Sequence, residues 1–231
     1  RRVTTALTVV GLGLVVFVLL AVLMLAHGLE QTLGKTGDPE NVIILRKGAL
    51  SEIGSSLSRE EIRAVAAQPD VRLTADGRPL AVAEVGLQLT LRKGQGGSLT
   101  SVTLRGTAPE APALRPAIRL IQGRLWKPGT TEIVVGASIA RQFPDARVDR
   151  VLHFGNWAWT VVGVFEAGGS GFDSEVWGDA EQFLATFHRA TFSSMTLRLA
   201  HPATLPAFKD RIERDPRFKF SVKREPEYYE G

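Results

Sequence analysis

Apolar and polar positions divide this chain into one long uncharged run followed by about 200 residues of alternating short patterns. Residues 6–26 contain no charge and no proline, and Thr8 is their only polar side chain. As a helix rising about 1.5 Å per residue, this run is roughly 31 Å long, which matches a bilayer's hydrocarbon core. Fourteen of its residues are Leu, Val or Phe, each favouring insertion by ~0.3–0.6 kcal/mol at the helix centre. The pattern predicts a transmembrane helix over 1–27 with a basic flank. A cleaved secretory signal would carry an apolar stretch of about 7–15 residues and a small-residue cleavage site. The run here is longer, and Leu25-Ala26-His27-Gly28 fits such a site poorly. Arg1 and Arg2 precede the run while Glu30 follows it, so the positive-inside rule puts the N-terminus in the cytoplasm and the body of the chain outside.

After a polar connector, Asn41-Val-Ile-Ile-Leu-Arg46 is a compact apolar run suited to a buried strand. Ser58-Arg-Glu-Glu61 has the capping-box pattern, Ile62, Val65 and Ala66 follow at helical spacing, and Pro69 ends the helix. The period then changes. Stretches 80–85, 86–92 and 99–105 are β-rich, and the glycine-bearing 93–97 reads as a hairpin connection. Residues 107–116, with their prolines, read as a linker. A strand at 131–136 precedes a short helix over 138–143. Strands at 151–154 and 157–165 form a hairpin about Gly155-Asn156. Asp179 caps a helix to Phe187, and a strand over 194–199 follows. A helix over 202–214 carries its proline in the first turn. In the last strand Phe218, Phe220 and Val222 alternate with Arg217, Lys219, Ser221 and Lys223. The fold class is α+β, with strand–helix–strand passages on either side of a β-rich insertion at about 80–130.

Composition narrows the chemistry. The chain has no cysteine, so disulfides, cysteine metal sites and thiol catalysis are excluded. A net charge of +4, with basic and acidic residues interspersed, describes a solvated surface and not a nucleic-acid-binding one. Gly34-Lys35-Thr36 looks like the end of a phosphate loop, but the pattern needs a glycine where Leu29 stands. Gly168-Gly169-Ser170-Gly171 approaches a nucleophile elbow, with Phe172 in place of the last glycine, and His153, His188 and His201 are scattered. No histidine pair has metal-ligand spacing. Trp157 and Trp159 share one side of a strand and read as core. Gly11 and Gly13 are two apart and do not form a dimerisation motif. We therefore expect no catalytic, cofactor-binding or metal residues. The loop 167–177 is the candidate surface for a partner, with Phe172 and Trp177 as anchors and Asp173 and Glu175 as polar rim. The alternative is that Phe172 and Trp177 pack inward.

Several segments together carry a resemblance. The apolar helix is followed by Asn41-Val-Ile-Ile-Leu-Arg-Lys-Gly48 and Ser58-Arg-Glu-Glu-Ile-Arg63. Then come Leu120-Ile-Gln-Gly-Arg-Leu-Trp-Lys-Pro-Gly129, Glu132-Ile-Val-Val-Gly-Ala137 and Trp159-Thr-Val-Val-Gly-Val-Phe165. Asp173-Ser-Glu-Val-Trp-Gly-Asp179 and Lys223-Arg-Glu-Pro-Glu-Tyr-Tyr229 close the series. In this order they resemble the MacB-like, FtsX-type ABC transporter permeases: the first membrane helix and the periplasmic core domain after it. The resemblance implies a core domain over 28–227 with a porter-like α/β part and an inserted β-rich subdomain. Residues 228–231 would lead to a second membrane helix, so that both ends are cut from a longer protein with four such helices. It implies a bacterial inner-membrane location and a non-catalytic permease subunit in a homo- or heterodimer. A separate or fused cytoplasmic ABC ATPase would hold ATP and Mg and drive export or periplasmic mechanical work. A periplasmic adaptor or substrate protein and membrane lipid are the other implied partners, and nucleic acid is not. The alternatives are a single-pass anchored binding or sensor domain without an ATPase and, behind it, an anchored hydrolase.

Overall fold

The computed structural model describes residues 2–33, 36–94, 97–154 and 156–230, without the side chains of 2–9, 26, 27 and 29–33. Helix α1 (Arg2–Leu33) leads into the domain, and its side chains from 10 to 25 are exposed. Among the described residues no helix is long and apolar enough to cross a membrane. Of the span expected over 6–26, the side chains of 6–9 and 26 are not described, and Gly34 and Lys35 lie outside the described residues.

The domain is built on one ten-stranded sheet in the order β10-β1-β9-β2-β3-β8-β5-β7-β4, with β6 also on β7. β1 (Asn41–Arg46) lies between β9 (Ser194–Arg198) and β10 (Phe220–Arg224), antiparallel to both. β2 (Ala81–Arg92) joins the two halves of the sheet. Its first residues pair with β9, while those from Val85 onward pair with β3 (Leu99–Thr107). β8 (Glu175–Asp179) runs parallel to β3, and β5 (Glu132–Gly136) joins β8 to β7 (Trp157–Glu166). The outer side of β7 holds β4 (Arg119–Gly123) and β6 (Val151–Phe154). The β-rich middle is thus continuous with the sheet.

Strand alternation assigns two faces. On one face Ile133, Val135, Trp159, Val161 and Leu104 pack against α4 (Ala137–Gln142) and α5 (Ala180–Thr186). Further along, Val42, Ile44, Leu197 and Val222 pack against α2 (Arg59–Ala66) and α6 (Leu205–Arg214). On the other face Val82, Val134, Val162 and Trp177 form a third cluster with Leu114 of α3 (Ala111–Leu114) and with Phe172. Tyr229 of α7 (Glu225–Glu230) packs against its edge.

The local signals explain the elements they accompany. Ser58 Oγ accepts from Glu61 N, and Glu61 Oε2 accepts from Ser58 N at 2.8 Å, which completes the capping box of α2. Asp179 Oδ1 accepts from Gln182 N at 3.0 Å and starts α5. Asn156 turns the β6–β7 hairpin at φ 61°. The stretch expected as a linker instead forms α3 and buries Ala111, Leu114 and Arg115, because its apolar residues close over the third cluster. Trp159 is fully buried, but Trp157 is 52% exposed. It is the first residue of β7, at the hairpin end, beyond the side chains that cover Trp159. The predicted helix over 202–214 opens with a 3₁₀ turn, Pro202–Thr204, before α6 begins.

Candidate functional site

Glu84 of β2 and Arg105 of β3 are charged residues inside buried strand segments, and each is at most 1% exposed. Burying isolated charges costs several kcal/mol per ion, so strands with this sequence fold only where partners converge. Arg115, just after α3, sends Nη1 and Nη2 to Glu84 Oε1 and Oε2 at 2.8 and 2.7 Å. Its Nε reaches Glu225 Oε1 of α7 at 2.6 Å. Arg105 holds Glu175 through Nε and Nη2 at 2.8 and 2.9 Å and Glu52 through Nη1 and Nη2 at 2.8 and 3.0 Å. It also reaches Glu84 Oε2 at 3.3 Å.

Neutral donors satisfy the remaining carboxylate oxygens. Thr107 and Thr196 hydroxyls donate to Glu84 at 2.9 and 3.1 Å. The Ser194 hydroxyl donates to Glu52 at 2.6 Å, and Trp177 Nε1 donates to Glu175 at 2.7 Å. Glu225 Oε2 accepts from Asn41 Nδ2 and from the Asp38 amide at 2.7 and 2.9 Å. Phe172 completes the cluster: the Arg115 and Arg105 guanidiniums stand 4.9 and 5.3 Å from its ring centroid, and Tyr229 meets it edge-on at 5.5 Å. Tyr228 OH accepts from the Glu52 amide at 2.8 Å. The cluster therefore ties β1, β2, β3, β8 and β9 to α7 and to the chain emerging from α1. α7 also packs against α1.

The charges settle accordingly. Burial pushes the Glu84 carboxyl upward, but the guanidiniums of Arg115 and Arg105 outweigh it and hold it at about 2. Burial opposes the charge of both arginines, yet Glu175 and Glu52 for Arg105, and Glu225 and Glu84 for Arg115, keep them charged well above the usual range. Burial drives Tyr229 well above 10, and burial with Glu52 nearby drives Tyr228 to about 12. Both phenols stay neutral. Every carboxylate is bonded to arginine or to neutral donors, and among the described residues no group of three or more His, Asp or Glu side chains could hold a metal ion. The arrangement locks a geometry and activates no nucleophile.

The structure places Phe172, Asp173, Glu175 and Trp177 inside the domain, each no more than 7% exposed. Asp173 closes the glycine loop by accepting from the Ala167 and Gly169 amides at 2.7 and 2.8 Å. This conformation offers none of the four to a partner. The inward packing has a physical cause: Phe172 and Trp177 cover the two arginines, and Glu175 neutralises one of them. Ser170 is buried, and its Oγ has no hydrogen-bond partner, so no histidine activates it. Thr36 is buried and accepts from the Gly171 amide at 2.9 Å, which ties the connector after α1 to this loop. Glu52, Glu84, Arg105, Arg115 and Glu225 were not among the expected site residues. The one local signal for them is a charged residue within the apolar alternation, at Glu84 and at Arg105.

Residues 5–215 match the family model of the MacB-like periplasmic core domain. No curated protein sequence matches the chain. Among solved structures, the extracellular domain of the noncanonic ABC-type transporter YknZ from Gram-positive bacteria superposes with a TM-score of 0.60 at 13% identity, over 79% of this chain and 99% of that one. The periplasmic region of MacB from Actinobacillus actinomycetemcomitans gives 0.61 at 14% identity, over 83% and 91%. A domain of a putative permease protein from Porphyromonas gingivalis gives 0.53 at 14% identity, over 80% and 90%. At these identities the likeness is one of fold.

Proposed function

Because this chain belongs to the MacB-like periplasmic core domain family, we propose that it works as the permease subunit of an ABC transporter. In this reading α1 crosses the bacterial inner membrane with Arg1 and Arg2 on the cytoplasmic side. The uncharged run over 6–26 and the exposed apolar side chains from 10 to 25 support that placement. The sheet domain stands outside, and a second permease copy pairs with it. A cytoplasmic ATPase, with its ATP and Mg, supplies the hydrolysis.

The observation that carries the mechanical part is Arg115, which grips Glu84 in the sheet with one edge of its guanidinium and Glu225 of α7 with the other. A bidentate buried pair holds orientation more firmly than apolar contact, because it loses its bonds when tilted. The cluster joins the sheet, α7 and the connector at Asp38 and Asn41 in one body, so displacement of the membrane helices swings the whole domain. Work reaches a periplasmic substrate or adaptor in this way without chemistry in the domain.

The test uses the intact membrane protein. An ABC ATPase should co-purify with it, and a complex that never contains one overturns the permease reading. Spin labels on Lys127 and Glu230, both exposed, should give one narrow distance distribution. Arg115→Met should broaden it while the bound ATPase still turns over. Equally narrow distributions in both proteins would remove the joint from the mechanism.

A further inference from the structure

The two edges of the sheet are treated differently. At one edge, β10 buries Phe220 and Val222 and leaves Lys223 exposed, an arrangement that discourages pairing with other chains. At the other edge, all five residues of β4 are exposed, Leu120 and Ile121 at 40% and 47%, and the strand bulges between Leu120 and Gln122. Among the described residues no strand lies beyond β4. Beside it opens a groove of about 500 Å³ lined by Ile121, Ala140, Val148 and Val164, whose only charged lining residues are Arg141 and Arg147.

These two arginines stand out from their neighbours. Arg119 and Arg124 are each paired with a carboxylate, Glu166 and Glu132. Arg141 bonds only the Ser138 hydroxyl, at 2.9 Å, and among the described residues neither Arg141 nor Arg147 has a carboxylate partner. Asp145 and Asp149 belong to the same connection but do not line the groove. An open strand edge thus adjoins an apolar trough with an uncompensated positive rim.

We propose that β4 is the docking edge for an extended, acidic segment of a partner protein, which adds a strand to the sheet. Backbone hydrogen bonds to β4 supply affinity, alternate apolar side chains enter the groove beside Ile121, and flanking carboxylates meet Arg141 and Arg147. A second copy of this chain fits poorly. Two-fold pairing of β4 with β4 would centre on Ile121 and bring Arg141 and Arg147 of each copy towards their own equivalents. The inference rests on the sheet alone and stands whether or not α1 spans a membrane.

The probe is a blocked, dye-labelled peptide, Asp-Val-Glu-Val-Asp-Val-Glu, titrated into the full chain in detergent micelles. Control peptides carry lysine at the acidic positions or proline at the central valine. The acidic peptide should bind saturably and at least tenfold more tightly than either control. The Arg141→Glu/Arg147→Glu double variant and Ile121→Asp should each weaken it at least tenfold with an unchanged unfolding midpoint; both changes are on the surface. Equal binding of acidic and basic peptides, or no saturable binding by any, overturns the proposal. So does a dimer of the wild-type chain that Ile121→Asp converts to monomer, since that result would assign the edge to a second copy.

Discussion

Arg115 and Glu84 face each other across two parallel hydrogen bonds of 2.8 and 2.7 Å in a fully buried setting, although 31 residues separate them in the chain. Neither charge has water to fall back on. Glu84→Gln should therefore cost about 3–5 kcal/mol, the penalty for stranding a buried charge, read as a lowered urea midpoint. Arg115→Met should cost a similar amount. The double variant should lose clearly less than the sum of the two, because each change removes the same bonds.

The depressed Glu84 pKa makes the domain acid-sensitive. An unfolded glutamate titrates near 4.5, whereas the folded one holds out to about 2. Between these values the unfolded state binds the proton first, so acid favours unfolding. The contribution of Glu84, on the order of 3 kcal/mol, is full above about pH 4.5 and disappears as the pH falls towards 2. Urea midpoints measured from neutral pH to pH 3 should fall steeply, and Glu84→Gln should flatten the decline from its lower starting point.

Tyr228 and Tyr229 are the only tyrosines in the chain, so tyrosinate absorbance reports on this site alone. In the folded protein little phenolate should appear at pH 10–11, because burial pushes Tyr228 to about 12 and Tyr229 further. In urea both should titrate near 10. As the folded values lie above the unfolded one, stability falls when the pH rises past about 10. Phenolate forming at pH 10 before unfolding would place these rings in water.

Gly37 sits between α1 and β1 at φ +89°, and a Cβ there would lie 2.7 Å from Glu225 Cγ. Gly48 has a similar φ of +84° but open space around it. Gly48→Ala should cost about 1–2 kcal/mol for the left-handed backbone alone. Gly37→Ala should cost visibly more, since it also pushes Glu225 away from Arg115. Comparing the two thermal midpoints separates strain from collision.

What the sequence revealed was local. The apolar run of β1, the capping box of α2 and the alternation ending at Val222 each carry their signal within a few residues. β4 and β8 carry none. Glu175-Val-Trp-Gly-Asp179 mixes two carboxylates with a glycine and becomes a strand only because β3 and β5 pair with it. The cluster was hidden for the same reason. Arg115 meets Glu225 across 110 residues and Arg105 meets Glu175 across 70. A charge in a strand shows that some partner exists, and only the packed sheet identifies it. Phe172 and Trp177 are buried against those guanidiniums, where an aromatic face attracts a cation more strongly than it does in water.

The pairing of β1 with β10 matches Val42 with Arg224 and Arg46 with Phe220. The first strand of the domain is thus zipped to its last, and the two lie antiparallel. The chain enters β1 beside Asn41 and leaves β10 after Arg224, at the same end of the sheet. If α1 and α7 are pulled apart, the load falls first on the Val42–Arg224 pair at that end, and the ladder opens from there one bond after another. A force shared equally by both ends leaves the ladder unstrained. The seam thus passes on motion that both attachments share, and it is most open to motion that separates them.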